Sequence, residues 1–151
     1  MEIKELFIEA GVKTPQIDLN HLTGELIFCG KSIPENSAAL YENVLKWVQT
    51  YAENPRSVTN LRLNLEYFNS SSSIWFAKII KALCSVDKTD YTLFIHLYFD
   101  IEDFDSMQQE DLKEALSPIM DMIGNPTISI GIKIYGTGVK GAIMKESTVF
   151  I

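Results

Sequence analysis

Strand-like and helix-like hydrophobic patterns alternate over most of the chain, and this alternation constrains the fold more than any other feature. Residues 58–68 look extended, with apolar side chains at every second position from 61 to 67, whereas in residues 40–51 apolar side chains recur at helical spacing. Residues 74–83 repeat the helical spacing, and residues 128–134 return to strand-like alternation. The pattern predicts an α/β protein in which the later strands of a mixed sheet run parallel.

The residues before this alternation predict a β-hairpin. Residues 16–20 alternate, residues 25–29 form a second apolar run, and His21–Gly24 between them is turn-like, which indicates a four-residue loop. Residues 1–10 carry apolar side chains at helical spacing and predict a short helix, because Gly11 follows them. The resulting element order of the main body is β-β-α-β-α-β-α-β, in a single domain over residues 1–151.

The second half of the chain predicts a central strand, a helix and an edge strand. Residues 91–99 are apolar on both alternating faces apart from Thr92 and His96, which is typical of a strand covered on both sides. A helix is expected within residues 103–123, followed by a half-exposed strand over residues 128–134. Helices are expected on both faces of the sheet, or mostly on one if the sheet is small. The tail, residues 136–151, is either a returning strand or a segment docked to a partner.

Charge and composition exclude several classes of partner and location. The 151 residues include 13 basic and 20 acidic side chains, a net charge of −7, which disfavours nucleic acid or an anionic membrane surface as a partner. No apolar run is long enough to span a membrane, and the start lacks the pattern of a secretion signal. Two well-separated cysteines, Cys29 and Cys84, indicate reduced thiols. A cytoplasmic protein is therefore expected.

Motifs for metal binding or catalysis are missing from the sequence. His21 and His96 are the only histidines, and neither has a second His or Cys at ligand spacing. The glycines between Gly136 and Gly141 lack the spacing of a phosphate-binding loop and indicate a turn. We therefore expect His96 to be a satisfied structural residue, both cysteines to be small core residues, and the protein to be neither an enzyme nor a cofactor carrier.

An acidic stretch follows the predicted central strand. It contains Asp100, Asp103 and Asp105 among six acids and no basic residue, and its spacing does not match a calcium-binding loop. Two interpretations stay open. The acids either form a solvated loop that favours a helix N-terminus, or they form a docking or repulsion surface. A small metal-binding protein that uses these three acids is a less favoured alternative.

Asn69 and the serine run Ser70–Ser73 lie at a predicted strand-to-helix junction. Capping of the helix explains one of these residues but not four hydroxyls. A phosphate at a helix N-terminus meets free N–H groups and the positive end of the helix dipole, so the run suggests a phosphorylation site. Because the preceding strands are expected to be parallel, this junction and the acids after Asp100 should open at the same sheet edge, where a phosphate would be repelled.

Several motifs together resemble the SiaC family of bacterial biofilm-regulation phosphoproteins over about residues 14–111. The specific ones are Ser32-x-Pro34-Glu35-Asn36 and Tyr67-Phe68-Asn69-Ser70-Ser71-Ser72. The other matching positions are Thr14, Pro15, Ile17, Gly24, Leu26, Gly30, Tyr41, Trp47, Tyr51, Asn54, Pro55, Leu65 and Glu66. The family usually has Thr where this chain has Ser70, and commonly has Lys where this chain has Ile74.

The resemblance implies a fold like that of anti-sigma-factor antagonists of the STAS type, and a non-enzymatic switch. A serine/threonine kinase of the anti-sigma-factor type would phosphorylate Ser70, which has neighbours Ser71 and Ser72, and a PP2C-like phosphatase would reverse the reaction. The unphosphorylated protein would bind and activate a diguanylate cyclase and so raise cyclic-di-GMP. The expected partner surface comprises Tyr67, Phe68, Asn69, Ser73, Asp100, Asp103 and Asp105. The alternative is an anti-sigma-factor antagonist that uses the same switch to free a sigma factor.

Overall fold

A seven-stranded mixed sheet forms the centre of the structure, a computed structural model that describes residues 3–106, 121 and 127–150. The strands are β1 (Leu6–Ile8), β2 (Gln16–Asn20), β3 (Glu25–Ser32), β4 (Val58–Phe68), β5 (Thr92–Asp100), β6 (Ser129–Thr137) and β7 (Ile143–Phe150). The described helices are α1 (Ser37–Glu53), α2 (Ser70–Cys84) and α3 (Ile101–Ser106), and a 3-10 turn spans Val139–Gly141. The predicted α/β class is confirmed.

Spatial order in the sheet follows chain order from β1 to β7. The pairs β3–β4, β4–β5 and β5–β6 are parallel, whereas β1–β2, β2–β3 and β6–β7 are antiparallel. Crossovers between parallel strands are right-handed as a rule, and two such crossovers, from β3 to β4 and from β4 to β5, place α1 and α2 on the same face of the sheet. Consistent with this, α1 and α2 pack against each other, and both contact strands: Tyr51 of α1 bonds Thr59 of β4, and Phe76 of α2 packs against Phe28 of β3.

The hydrophobic core lies between this face and the helices. The sheet contributes buried side chains at alternate positions, as the strand period requires; they are Ile17, Leu19, Leu26, Phe28, Leu61, Leu93, Ile95, Ile130, Ile132 and Ile134. The helices contribute side chains at three- and four-residue spacing; these are Tyr41, Val44, Val48 and Tyr51 from α1 and Phe76, Ile79, Ile80 and Leu83 from α2. The apolar residues that recur at helical or strand spacing in the sequence are therefore the residues that form the core.

The predicted opening hairpin is confirmed, with the expected loop of residues 21–24 between β2 and β3. Asn20 Oδ1 accepts hydrogen bonds from Leu22 N at 2.8 Å and Thr23 N at 3.2 Å, and so closes the turn. Gly24 ends it with φ of +75°, a conformation that side chains disfavour. An added Cβ at Gly24 would lie 2.5 Å from the Val58 carbonyl oxygen. Glycine is therefore required here both by its conformation and by the close approach of β4.

The helix predicted for residues 1–10 is wrong, because residues 6–8 form the edge strand β1. Leu6 lies opposite Leu19, and Ile8 lies opposite Ile17, so this segment extends the hairpin by one more antiparallel strand. Three residues are too few for alternation to be distinguished from helical spacing, and pairing with β2 decides the conformation.

The expectation that β5 is covered on both sides is also wrong for the described residues. Leu93 and Ile95 point into the core, while Phe94 and Tyr98 on the other face are half-buried in a layer of polar and aromatic side chains. No described helix covers that face, which we call the open face. Aromatic residues covered by neighbouring side chains thus gave β5 the apolar pattern of a fully enclosed strand.

The remaining expectations divide between confirmation and correction. Cys84 is buried as predicted, but Cys29 is exposed on β3, where it lies opposite Gln16 and Asn64. The tail forms a returning strand, β7, antiparallel to β6. The expected half-exposed edge strand over residues 128–134 is therefore wrong, because β6 pairs on both sides and is mostly buried. The helix predicted within residues 103–123 falls largely outside the described residues, of which α3 is the first part. Among the described residues no helix is long and apolar enough to cross a membrane.

Candidate functional site

Asn69 joins β4 to α2 and caps the helix. Its backbone is extended (φ −90°, ψ 172°), and its Oδ1 accepts a hydrogen bond from Ser72 N at 2.9 Å. Its own N–H donates to the Ser32 carbonyl at 3.0 Å, which ties the junction to the end of β3. The capping role expected for this run thus belongs to Asn69, and the four serines that follow are available for other roles.

Ser72 is a buried structural residue. Its side chain is fully buried, and its hydroxyl lies 2.8 Å from Ser32 Oγ and donates to the Ser32 carbonyl at 2.9 Å. Ser32 Oγ also contacts the hydroxyl of Tyr41 at 2.5 Å, and burial raises the pKa of Tyr41 to about 12. Because each of these hydroxyls has a partner inside the protein, Ser72 fixes α2 against β3 and α1.

Ser71 is half-buried and links the first turns of two helices. Its Oγ lies 2.6 Å from Ser37 Oγ at the start of α1, and it donates to Asn69 Oδ1 at 2.9 Å. Ser37 is itself 9% exposed. The hydroxyl of Ser71 is therefore already hydrogen-bonded within the protein.

Ser70 and Ser73 are the exposed members of the run. Ser73 Oγ donates to the Ser70 carbonyl at 2.7 Å, one turn back along the helix. Ser70 is the first residue of α2, and within the described part of the chain its hydroxyl has no hydrogen-bond partner. Burial and hydrogen bonding thus separate four serines that look equivalent in sequence, and they leave Ser70 as the accessible, unbound hydroxyl.

Exposed apolar side chains flank Ser70 in the sequence, at the end of β4 and one turn into α2. Tyr67 is 60% exposed, Phe68 49% and Ile74 58%, and we call these three the apolar rim. Phe68 is held by an edge-to-face contact with Phe76, at a centroid distance of 5.9 Å. Tyr67 and Phe68 were expected to form part of a partner surface, whereas the exposure of Ile74, one helical turn after Ser70, was not predicted.

Two of the acids after β5 interact with residues other than those of the Asn69–Ser70 junction. Asp100 Oδ2 accepts a hydrogen bond from Glu102 N at 3.1 Å, and Asp105 pairs with Lys145 of β7 at 2.6 Å. Asp103 is exposed on α3. In the described ranges no hydrogen bond or ion pair joins any of these acids to Ser70, and no cluster of His, Cys, Asp or Glu is arranged to hold a metal ion.

The divergence of two strands explains this separation. The β4–β5 ladder ends at the pair Leu63–Leu97, beyond which β4 continues beside β3 alone and β5 continues beside β6 alone. Parallel strands do carry Ser70 and Asp100 to the same edge of the sheet, as expected. Beyond the shared ladder, however, the segment before Ser70 pairs with β3 and the segment before Asp100 pairs with β6.

The open face carries a hydrogen-bonded network that sequence reasoning missed. Arg62 makes a two-pronged contact with Glu25, at 2.9 and 3.2 Å, and donates to Tyr98 Oη at 2.9 Å. These residues lie on three neighbouring strands, so only the register places them together. Charged and aromatic residues at alternate positions of β4 and β5 were the available signal.

His96 sits beneath this network as the satisfied residue predicted from sequence. It is 2% exposed, with Nδ1 2.7 Å from Tyr135 Oη and Nε2 2.8 Å from Asn60 Oδ1. Burial, together with the positive charges of Arg62 and Lys133, lowers the pKa of His96 to about 4. His96 is thus neutral at physiological pH, which suits a structural role.

Solved structures share this fold. Apo-SiaC from Pseudomonas aeruginosa superposes with a TM-score of 0.62 over 85% of this chain and 98% of that one, at 24% identity. SiaC in complex with the diguanylate cyclase SiaD, whose activator it is, gives a TM-score of 0.64 over 83% and 97% of the chains, at 25% identity. The similarity thus covers nearly the whole of each SiaC chain.

Sequence comparison leads to the same family. An uncharacterised protein of Pseudomonas aeruginosa strain UCBPP-PA14 is 34% identical over 70 residues, which span 46% of this chain and 56% of that relative's length. The family of SiaC regulatory phosphoproteins matches residues 8–123, a range that includes the Asn69–Ser70 junction. The chain therefore belongs to the SiaC family of regulatory phosphoproteins.

Proposed function

We propose that this protein is a non-enzymatic switch in which phosphorylation of Ser70 controls binding to a signalling enzyme. In this scheme a kinase of the anti-sigma-factor type adds the phosphate and a PP2C-like phosphatase removes it. The unphosphorylated form binds and activates a diguanylate cyclase in the cytoplasm. The observation that carries the proposal is the state of Ser70, which is exposed and unbound while Ser71 and Ser72 are engaged.

The position of Ser70 favours a phosphate on its hydroxyl. As the first residue of α2 it lies where backbone N–H groups point out of the helix and the dipole is positive. Asn69 already occupies Ser72 N, and Ser73 N bonds the Asn69 carbonyl, so the N–H groups of Ser70 and Ser71 are the ones available to a phosphate. A kinase would reach Ser70 without unfolding the helix, which it would have to do for Ser72.

The apolar rim gives the switch a physical mechanism. A partner that covers Tyr67, Phe68 and Ile74 would gain from burying their apolar surface. A phosphate brings a charge of about −1.5 to −2 at neutral pH, and burying that charge in an apolar contact is costly. Phosphorylation would therefore release the partner, because binding would then require the charged phosphate to lose its water. The acids after Asp100 need not contribute, since Asp105 is already paired with Lys145.

The choice of partner rests on a relative. SiaC of Pseudomonas aeruginosa, at 25% identity, forms a complex with the diguanylate cyclase SiaD as its activator. We extend this activity to the present chain, with the apolar rim and Asn69 at the centre of the contact. The exposed side chain of Ile74 in that rim adds apolar area that a cyclase could cover.

The phosphosite is tested by peptide mass spectrometry on protein recovered from its own cells while phosphatase activity is blocked. We expect phosphate on Ser70, and its loss in Ser70→Ala. Ser73→Ala is the matched control, because Ser73 is an exposed serine in the same helix turn. Phosphate retained in Ser70→Ala, or located on Ser73, would overturn the site assignment.

The partner is tested by pull-down from the same cells with Ser70→Ala and Ser70→Asp as baits. Ser70→Ala should recover a diguanylate cyclase and stimulate its cyclic-di-GMP synthesis, while Ser70→Asp should recover less of it. Tyr67→Ala should weaken recovery without preventing phosphorylation. Recovery of the kinase alone, with a sigma-factor pathway responding and no cyclase, would instead favour the anti-sigma-factor antagonist.

A further inference from the structure

We propose that β7 is a homodimerisation edge, along which two copies of this chain pair antiparallel about a two-fold axis at Ser147. Among the described residues β7 has a neighbour only on its β6 side, so the opposite edge of its eight residues is free to pair. The match to the family model ends at residue 123, and β7 lies beyond it.

The free edge of β7 is long and unusually accessible. Residues 143–146 and 148 are exposed and Ser147 is half-buried, so both faces of residues 143–148 meet solvent. Ile143 is 55% exposed and Met144 is 63% exposed. Natural proteins shield such edges, since unpaired N–H and C=O groups recruit other strands. The opposite edge of the sheet, β1, is only three residues long and fits that rule, whereas β7 does not.

The lysine that would normally oppose edge pairing is held away from the free edge in this strand. A lysine on an edge strand opposes the approach of another strand through its charge. Lys145 is opposite Gly136 in the β6–β7 ladder, and its ammonium group is bound to Asp105 of α3 at 2.6 Å. The charge is thus partly neutralised and held over the helical side of the sheet, away from the free edge.

The sequence of β7 suits it to pair with β7 of a second copy of the chain. A two-fold axis perpendicular to the sheet pairs residues on the same face, and an axis at Ser147 places Met144 opposite Phe150 and Glu146 opposite Thr148 of the partner. The alternate residues from Met144 to Phe150 are therefore apolar, polar, polar and apolar. In the antiparallel pair each apolar residue faces an apolar one and each polar residue faces a polar one. No like charges face each other in this register.

Symmetry also favours this pairing over the alternatives. Moving the axis one residue to Glu146 would place two carboxylates opposite each other, which destabilises an antiparallel pair. Joining β7 of one copy to β1 of the next would be a head-to-tail contact that leaves further edges free and continues into a filament. Pairing β7 with β7 closes after two chains and consumes the long edge of each.

Sedimentation equilibrium of the full chain is the first test. We expect a mass of twice 17.1 kDa, and a shift towards 17.1 kDa in Ser147→Lys, which places two ammonium groups opposite each other at the axis. Ser129→Lys, the same change at an exposed position at the start of β6, is the control and should stay dimeric. A monomeric parent chain, larger assemblies, or a dimer unaffected by Ser147→Lys would overturn the proposal.

Site-directed cross-linking tests the register without relying on the folding of Ser147→Lys. Directly opposed Cα atoms lie about 4.5–5.5 Å apart, within the range that a disulfide spans. In a Cys29→Ser background, Ser147→Cys should form an intermolecular disulfide under mild oxidation. Thr148→Cys should do so far less, because its opposite residue is Glu146 of the other copy. Equal cross-linking of the two variants would exclude this register.

Discussion

Ser32 and Ser72 share two hydrogen bonds across the junction of β3 and α2, and these bonds fix the direction of a hydroxyl chain. Ser72 spends its single proton on the Ser32 carbonyl, so Ser32 Oγ must donate to Ser72 Oγ. The proton of Ser32 is then committed, and Tyr41 must donate to Ser32. Three buried hydroxyls are thereby satisfied in one defined order.

Replacing Ser72 with alanine should therefore destabilise the protein by about 1–3 kcal/mol, because buried partners lose their bonds. Ser73→Ala, which removes an exposed hydroxyl from the next position of α2, should change stability by no more than about 0.5 kcal/mol. Urea unfolding of both variants measures the difference. Equal effects of the two substitutions would contradict the buried network.

Gly24 and Gly141 have almost the same φ, +75° and +74°, but different surroundings. An added Cβ at Gly24 meets the Val58 carbonyl oxygen at 2.5 Å, whereas at Gly141 it meets nothing within 4 Å. Both alanine variants should pay about 1–2 kcal/mol for the left-handed conformation. Gly24→Ala should lose about a further 1–3 kcal/mol from the clash, as judged by denaturant midpoints. Equal losses would show that β3 and β4 separate easily at this turn.

Charge at the two ends of α2 should act with opposite sign. Ser70→Asp places a carboxylate at the first residue of the helix and should stabilise it by about 0.3–1 kcal/mol relative to Ser70→Asn. Ser85→Asp places the same charge at the C-cap and should destabilise by a similar amount relative to Ser85→Asn. Thermal unfolding at low and high salt is the measurement. Effects of the same sign at both ends would point to the net charge of −7 as their cause.

His96 should make stability decline as the pH falls from about 6.5 towards 4. Its pKa is lowered to about 4 in the folded protein from 6.5, so in this window the unfolded chain binds the proton and the folded chain does not. Carboxylates titrate in the same window, and the informative quantity is the difference between the parent and His96→Gln. The variant should show the flatter profile. Parallel profiles would contradict the lowered pKa.

The same network determines the tautomer of His96. Arg62 lies 3.5 Å from Nδ1 and has only protons to offer, which makes Nδ1 an acceptor that also takes the Tyr135 proton. Nε2 then carries the hydrogen and donates to Asn60 Oδ1. Nitrogen chemical shifts of the imidazole should report this Nε2–H form at neutral pH. A charged ring at pH 6 would show that the arrangement differs in solution.

Hydrophobic period predicted most of the elements but failed where neighbours decide the outcome. The loop of residues 21–24 and the helix α1 followed from local pattern alone, because turn residues and apolar spacing agreed there. Leu6 and Ile8 looked helical and became a strand because Leu19 and Ile17 lie beside them. Phe94 made β5 look enclosed, although polar and aromatic neighbours cover it.

The candidate site followed the same division. The motif around Asn69 was recognisable in the sequence, and a helix cap within the Asn69–Ser73 run was predicted from residue type, although not which residue forms it. The difference between Ser70 and Ser72 was not legible, since it depends on Ser32 and Tyr41 approaching from distant parts of the chain. Burial contributed by remote segments is the information that a local pattern lacks.

The agreement of strand order with chain order has a consequence for how the protein is made. As the chain leaves the ribosome, each new strand finds its predecessor already at the growing margin of the sheet. None of the seven described strands has to be inserted between two that have already paired. Synthesis and assembly of the described strands can therefore proceed in the same direction, with β7 joining the margin after the other six.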